Sequence, residues 1–276
     1  MESTCMNILV TLDKGYLTQL CVMLKSLMMN NQESLVHVYV LHQSLTDNQL
    51  LEVKNSVDED RLTLIPIQVT EDMVALFPTS KRYPSEMYFR LFAYNYLPSH
   101  LDRILYLDPD IVIINSLKEL YHMPFDQLYF MACSHVFKGG QKLNSIRLKM
   151  PKDTPYFNSG VILMNLPLLR DKMDMKAIFD YVIQNRIRLF LPDQDVFSVL
   201  YGKYTKLLDT LVYNLSDRYK ILYDLRQGKK EDKITPEWIN NNSVIIHYCS
   251  RNKPWKPYYR GILGQYYHHY HKMLKK

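Results

Sequence analysis

Glycine is scarce in this chain, with 8 residues among 276, and its 13 prolines nowhere gather into a linker. No low-complexity stretch or internal repeat interrupts the sequence, which excludes a solenoid or a string of tethered modules. Cysteine is equally sparse. Cys5, Cys21, Cys133 and Cys249 are scattered and form no CxxC pair, so a disulfide framework is excluded and a reducing, cytoplasmic setting is expected. No apolar run approaches the roughly 20 residues that span a bilayer, and Met1 to Val10 lacks the basic and apolar regions of a signal peptide. The sequence therefore predicts a protein neither secreted nor integral to a membrane.

Acidic residues are missing from one place. Residues 251–276 carry seven Lys/Arg and no Asp or Glu, which leaves the rest of the chain nearly neutral within a net charge of +6. A nucleic-acid-binding domain would spread its cations over the folded surface, so that class is excluded. Residues 1–250 are expected to form one catalytic domain and residues 251–276 a basic, aromatic tail, since a chain of this length with 47% hydrophobic residues can bury one large core. Arg251, Lys253, Lys256, Arg260, Lys272, Lys275 and Lys276, interleaved with Trp255, Tyr258, Tyr259, Tyr266, Tyr267 and Tyr270, suit the interface of an anionic membrane. The alternative is an aromatic helix packed on the catalytic body.

Short apolar runs at Met6–Leu12, Val36–Leu41, Leu62–Ile67 and Ile104–Leu107 read as strands. Helical spacings lie between them at Leu17–Met28, Asp47–Asn55 and Tyr88–Leu97. Further strands are expected at Tyr129–Cys133, Val161–Met164 and Val244–His247, helices at Leu168–Arg186 and Gln194–Leu200, and a surface loop at Tyr223–Lys233. Alternating strands and helices predict an α/β fold with a mainly parallel central sheet. Ligands of such sheets bind beyond the carboxyl ends of the strands, which puts Asp13 and Asp108 on one rim.

Two carboxylates follow the fourth strand in Leu107-Asp108-Pro109-Asp110. In extended chain they project to the same side and can converge on a cation, although Asp and Pro also suit an ordinary turn. His247 ends a later apolar strand, and Lys253 follows six residues on. One imidazole and two carboxylates suit Mn²⁺, and a lysine can meet a diphosphate as a point charge. The plainer readings are a structural histidine and a solvated lysine. Arg90 lies among Tyr88, Phe89, Leu91 and Phe92, where a charge is expected to turn into a polar cleft. Asn158-Ser159-Gly160 is also a turn signature, and Asp193-Gln194-Asp195 can equally cap a helix.

Together these segments resemble glycosyltransferase family 8. The residues that carry the likeness are Asn7 to Val10 with Asp13 and Tyr16, Tyr88 to Leu91, Leu105 to Asp110, Phe157 to Val161, Asp193 to Asp195, and His247 to Trp255. The resemblance implies a GT-A type nucleotide-sugar-binding fold and a retaining hexosyltransferase. In this reading Asp108, Asp110 and His247 bind Mn²⁺ or Mg²⁺, Asp13 contacts the uracil of a UDP-sugar, Tyr16 stacks on it or packs on the first helix, and Lys253 lies near the phosphates. Arg90, Asn158 and Asp193 hold the donor sugar, and Gln194 lies beneath its reacting carbon. The expected donor is UDP-galactose or UDP-glucose, and the expected acceptor a saccharide hydroxyl, with a lipid-linked saccharide at the inner face of a membrane as the candidate. A sugar nucleotidyltransferase and a nucleotide-sugar-binding protein without transferase activity are the alternatives. The chain departs from the family pattern at Ser134-His135, at Ser250 and at Lys14-Gly15, which bears on the sugar contacts and the donor geometry.

Overall fold

The computed structural model describes residues 5–70 and 86–275; Lys276 of the basic tail lies outside them. Nine strands are present among the described residues: β1 Cys5–Thr11, β2 Leu35–His42, β3 Leu62–Gln68, β4 Arg103–Leu107, β5 Ile111–Ile113, β6 Phe130–Cys133, β7 Val161–Asn165, β8 Thr205–Leu208 and β9 Ile245–His247. Seven form one sheet in the order β3-β2-β1-β4-β7-β6-β8, and β5 and β9 form a separate two-stranded ribbon.

The central strands of the sheet are buried on both faces, which is why they read as unbroken apolar runs rather than alternating ones. Met6, Ile8 and Val10 face the same cluster as Leu20, Leu24 and Leu27 of the helix Leu17–Asn30. Leu9 and Tyr106 face the opposite cluster with Phe89 and Phe92 of the helix Glu86–Phe92. Successive residues of a strand thus feed two separate cores.

Only β7 runs against the rest, pairing antiparallel with both β4 and β6. Its reversal brings the start of β7 to the rim where β4 ends. There the backbone N–H of Asp108 donates to the carbonyl of Gly160 at 2.8 Å. The β5-β9 ribbon sets Ile111 opposite His247, so Asp110 and His247 reach the same rim.

The helix expected over Leu168–Arg186 is divided into Leu166–Lys172 and Met175–Asn185, because the Asp174 carboxylate accepts the Lys176 N–H at 2.8 Å and starts a new helix. The segment Tyr223–Lys233 ends the helix Asp217–Asp224 before becoming irregular. The strands β5 and β8 and the helix Lys138–Leu148 had no reading in the sequence, whereas the helix Gly264–His271 is the aromatic helix offered as the alternative to a membrane-facing tail. The last of these lies on the helix Leu17–Asn30: Asn30 Nδ2 donates to the Tyr270 hydroxyl at 2.8 Å, and Tyr267 and Tyr270 are buried with Val22, Val112 and Ile246. Among the described residues no helix is long and apolar enough to cross a membrane.

Candidate active site

Beyond the β4 and β7 rim lies a cleft of about 640 Å³, lined by Arg90, Asp108, Asp110, Asn158, Asp193, Gln194 and His247 among others. Seven of the ten residues that sequence reasoning singled out therefore meet in one place. Ligating atoms of Asp108, Asp110 and His247 all lie within 4.8 Å of one another.

The contacts leave one atom of each residue for a cation. Asp108 Oδ1 accepts from the Tyr106 hydroxyl at 2.6 Å and lies 3.0 Å from Arg90 Nη1, while its Oδ2 faces His247. Asp110 Oδ2 is paired with the Lys253 ammonium, and its Oδ1 stands 3.1 Å from His247 Nε2. That Nε2 is buried and has no hydrogen-bond partner; it is aligned with neither carboxylate. A buried nitrogen orphaned beside two carboxylate oxygens fits a divalent cation with oxygen and imidazole ligands. The fit has a steric signature as well. A Cβ on Gly160 would sit 2.2 Å from His247 Cε1 and 2.5 Å from Asp108 Oδ2, so only glycine clears this space.

Which His247 nitrogen faces the carboxylates follows from a chain of amides. The Gly160 backbone N–H donates to Asn158 Oδ1 at 3.1 Å, and a backbone N–H has no other role to play. Asn214 Nδ2 donates to the same oxygen at 2.9 Å, which turns Asn214 Oδ1 toward His247 Nδ1, also at 2.9 Å. Asn214 Oδ1 must then accept the Nδ1 proton. On its other side Asn158 Nδ2 donates to Gln194 Oε1 at 3.0 Å. Asn214 is fully buried, and no motif in the sequence marks it.

Charge is dense here. Burial pulls the His247 imidazole down, and the neighbouring Cys249, Asp110 and Asp108 more than offset it, raising it to about 10. Burial pushes the Asp110 carboxyl up, yet Lys253 and His247 hold it well below the usual carboxylate range; Asp108 is lowered by Arg90 and His247 against its own burial. Asp193 differs: burial dominates over its contact with Arg90, and its carboxyl is raised. Asp193 Oδ2 accepts from Ser159 Oγ at 2.7 Å and lies 3.3 Å from Arg90 Nη1. Arg90 also donates to the Ser159 carbonyl at 2.9 Å, and its buried Nε has no partner.

Asp13, Tyr16 and Lys253 do not line the cleft. Asp13 accepts the Gly15 N–H at 2.6 Å, capping the short turn Lys14–Tyr16. Tyr16 meets Trp255 edge-on at 6.2 Å, and Lys253 donates to the Tyr248 carbonyl at 2.6 Å besides pairing with Asp110. These residues form a flank next to the carboxylates.

Asp195 has a framework role. It is fully buried, takes both Nη groups of Arg147 at 2.8 Å each, and accepts from the Tyr156 hydroxyl and the Phe190 N–H at 2.7 Å. It thereby fixes the cleft wall carrying Arg147 and Phe190, neither of which was legible in the sequence.

Several known proteins resemble this chain. The lipopolysaccharide 1,2-glucosyltransferase of Escherichia coli K12 is 28% identical over 92% of this chain and 73% of its own length. The lipopolysaccharide 1,3-galactosyltransferase of Salmonella typhimurium LT2 is 25% identical over 95% and 76%. The crystal structure of the galactosyltransferase LgtC with donor and acceptor sugar analogues superposes with a TM-score of 0.83, covering 98% of this chain and 97% of that one at 21% identity. The fold is thus of the GT-A type. Residues 7–273 match the pattern described as Glycosyl transferase family 8, and with a match over nearly its whole length the chain belongs to that family of sugar-transferring enzymes.

Proposed function

We propose that this enzyme moves a hexose, galactose or glucose, from a UDP-sugar to a saccharide hydroxyl in cell-surface glycan synthesis, with retention of anomeric configuration and dependence on Mn²⁺ or Mg²⁺. The observation that carries the reading is the set of Asp108 Oδ2, Asp110 Oδ1 and His247 Nε2, converging around a space that Gly160 keeps open. Hexose transfer is supported by the names of the glucosyl- and galactosyltransferase relatives. The four cysteines, all free, suit a cytoplasmic setting.

A divalent cation at this site supplies the positive charge that a departing diphosphate requires. Lys253 adds an ammonium beside Asp110, and Asp13 and Tyr16 on the same flank are assigned to the uracil. Arg90 and Asp193 hold the donor sugar through its hydroxyls, and Asn158 orients Gln194 beneath the reacting carbon. Gln194 Oε1 already accepts from Asn158, and Asp193 is tied to Ser159 and Arg90. With no unengaged carboxylate among these residues, retention is better served by attack on the face the diphosphate leaves, a diphosphate oxygen taking the acceptor proton, than by an enzyme-linked intermediate.

The test is UDP release from UDP-galactose and UDP-glucose, with and without a saccharide acceptor. Release should rise with acceptor, stop in excess chelator, and be nearly abolished by Asp108→Ala or Asp110→Ala. Full activity in chelator would overturn the metal assignment, and absence of release from any UDP-hexose would leave a binding protein as the better reading.

A further inference from the structure

Six of the fifteen large hydrophobic side chains exposed among the described residues fall in two short segments, 138–150 and 181–191. They are Leu143, Ile146, Ile183, Ile187, Phe190 and Leu191; Ile187 is 87% exposed, Leu143 71% and Ile146 67%. The same segments contain no Asp or Glu, and they carry Lys138, Lys142, Lys149, Arg186 and Arg188, all exposed, in addition to Arg147.

The two segments form one surface. Arg147 donates to the Arg188 carbonyl, clamps Asp195 and lies with its guanidinium 4.5 Å from the centre of the Phe190 ring. Along the helix Lys138–Leu148, Lys138, Lys142 and Ile146 recur at spacings of four and so share one face, with Leu143 beside it. The inner side of the same elements, Asn144, Arg147, Phe190 and Leu191, lines the cleft. An outward surface of Leu143, Ile146, Ile183 and Ile187 ringed by cations therefore borders the cleft mouth that Phe190 and Leu191 line.

We propose that this surface docks on an anionic lipid bilayer. Aliphatic and aromatic side chains on a basic helix enter the boundary between headgroups and acyl chains, while lysines and arginines meet lipid phosphates. A second copy of the chain fits poorly, since a self-complementary contact would set this all-cationic ring against itself. The C-terminal tail is a weaker membrane face: Tyr267 and Tyr270 point into the core, leaving exposed cations with Tyr258 as the fully outward aromatic. Docking through segments 138–150 and 181–191 holds the cleft mouth at the bilayer. On the transfer reading above, the acceptor is then a saccharide carried by a lipid.

The experiment is co-sedimentation of the full chain with phosphatidylcholine vesicles, with or without phosphatidylglycerol, at low ionic strength. It needs no turnover, so it succeeds or fails independently of the transfer reading. Binding is expected only to the anionic vesicles. Ile146→Gln with Ile187→Gln should lower it about tenfold or more, and Lys142→Gln with Arg186→Gln roughly thirtyfold. Arg251→Gln with Lys256→Gln and Arg260→Gln in the tail should leave it within about threefold. All these positions are exposed, so thermal midpoints should stay at the wild-type value. Three results overturn the proposal: no binding of the wild type to anionic vesicles, loss of binding in the tail variant with retention in both surface variants, or a solution dimer that Ile146→Gln with Ile187→Gln dissociates.

Discussion

Asn214 accepts the Nδ1 proton of His247 at 2.9 Å, and this contact decides that Nε2 is the nitrogen turned toward Asp108 and Asp110. Partners of this kind fix the tautomer and ring orientation of a metal-ligating histidine, and their loss costs roughly ten- to a hundredfold in metal affinity. Asn214→Ala is therefore expected to weaken Mn²⁺ binding within that range, followed by titration of the free-ion EPR signal, with the three ligands untouched. An unchanged affinity would show that the imidazole is oriented by packing alone.

Gly160→Ala should be more damaging than its single methyl suggests. The added carbon would sit 2.2 Å from the imidazole and 2.5 Å from Asp108 Oδ2, and both neighbours belong to the proposed cation site. Because β7 is paired on both edges, the ligands must yield rather than the strand. The expected outcome is a folded chain, by circular dichroism, whose Mn²⁺ affinity falls further than that of Asn214→Ala. Wild-type affinity would mean that the cation lies elsewhere.

Gln194→Ala should lower turnover much more than donor affinity, because the proposed mechanism sets its amide beneath the reacting carbon rather than on the nucleotide. Comparing kcat with the UDP-sugar Kd reads the split. Proton NMR of the product reads the stereochemistry, which should retain the α configuration of the donor; a β-linked product contradicts the proposed mechanism.

The Arg147–Asp195 pair makes a prediction about stability. Removing one partner of a buried, doubly hydrogen-bonded ion pair leaves the other charge without compensation and costs about 3–5 kcal/mol. Arg147→Ala should be destabilised on that scale in urea unfolding, and restoring neutrality with Asp195→Asn should recover part of the loss. If Arg147→Ala unfolds at the wild-type midpoint, the cleft wall does not depend on this clamp.

The metal-ligand candidates that were legible in the sequence share one property: each sits beside or at the end of an apolar run. Asp108, Asp110 and His247 follow β4 or end β9, and burial on both faces makes those strands conspicuous. Asn214 has no such context. It closes a one-turn helix, Thr210–Tyr213, and matters because of a histidine 33 residues away in sequence. The helix Lys138–Leu148 was unreadable because Gly139 and Gly140 open it and Leu143 and Ile146 face outward, which leaves Leu148 alone in place of a periodic inward stripe. The tail shows the limit of composition. Tyr266, Tyr267 and Tyr270 are alike as letters, and only the packing of Tyr267 and Tyr270 on the first helix tells which are core residues.

The antiparallel insertion of β7 ties catalysis to strand register. The pairing of Leu107 with Val161 and of Arg103 with Asn165 sets the distance between the carboxylates after β4 and the amide before β7. A slip of two residues would keep the same side chains facing each core, yet would part Asp108 from Gly160 by roughly 7 Å. Register is therefore as much a part of the proposed cation site as its ligands are, because the Asp108 N–H and the Gly160 carbonyl meet in the observed pairing.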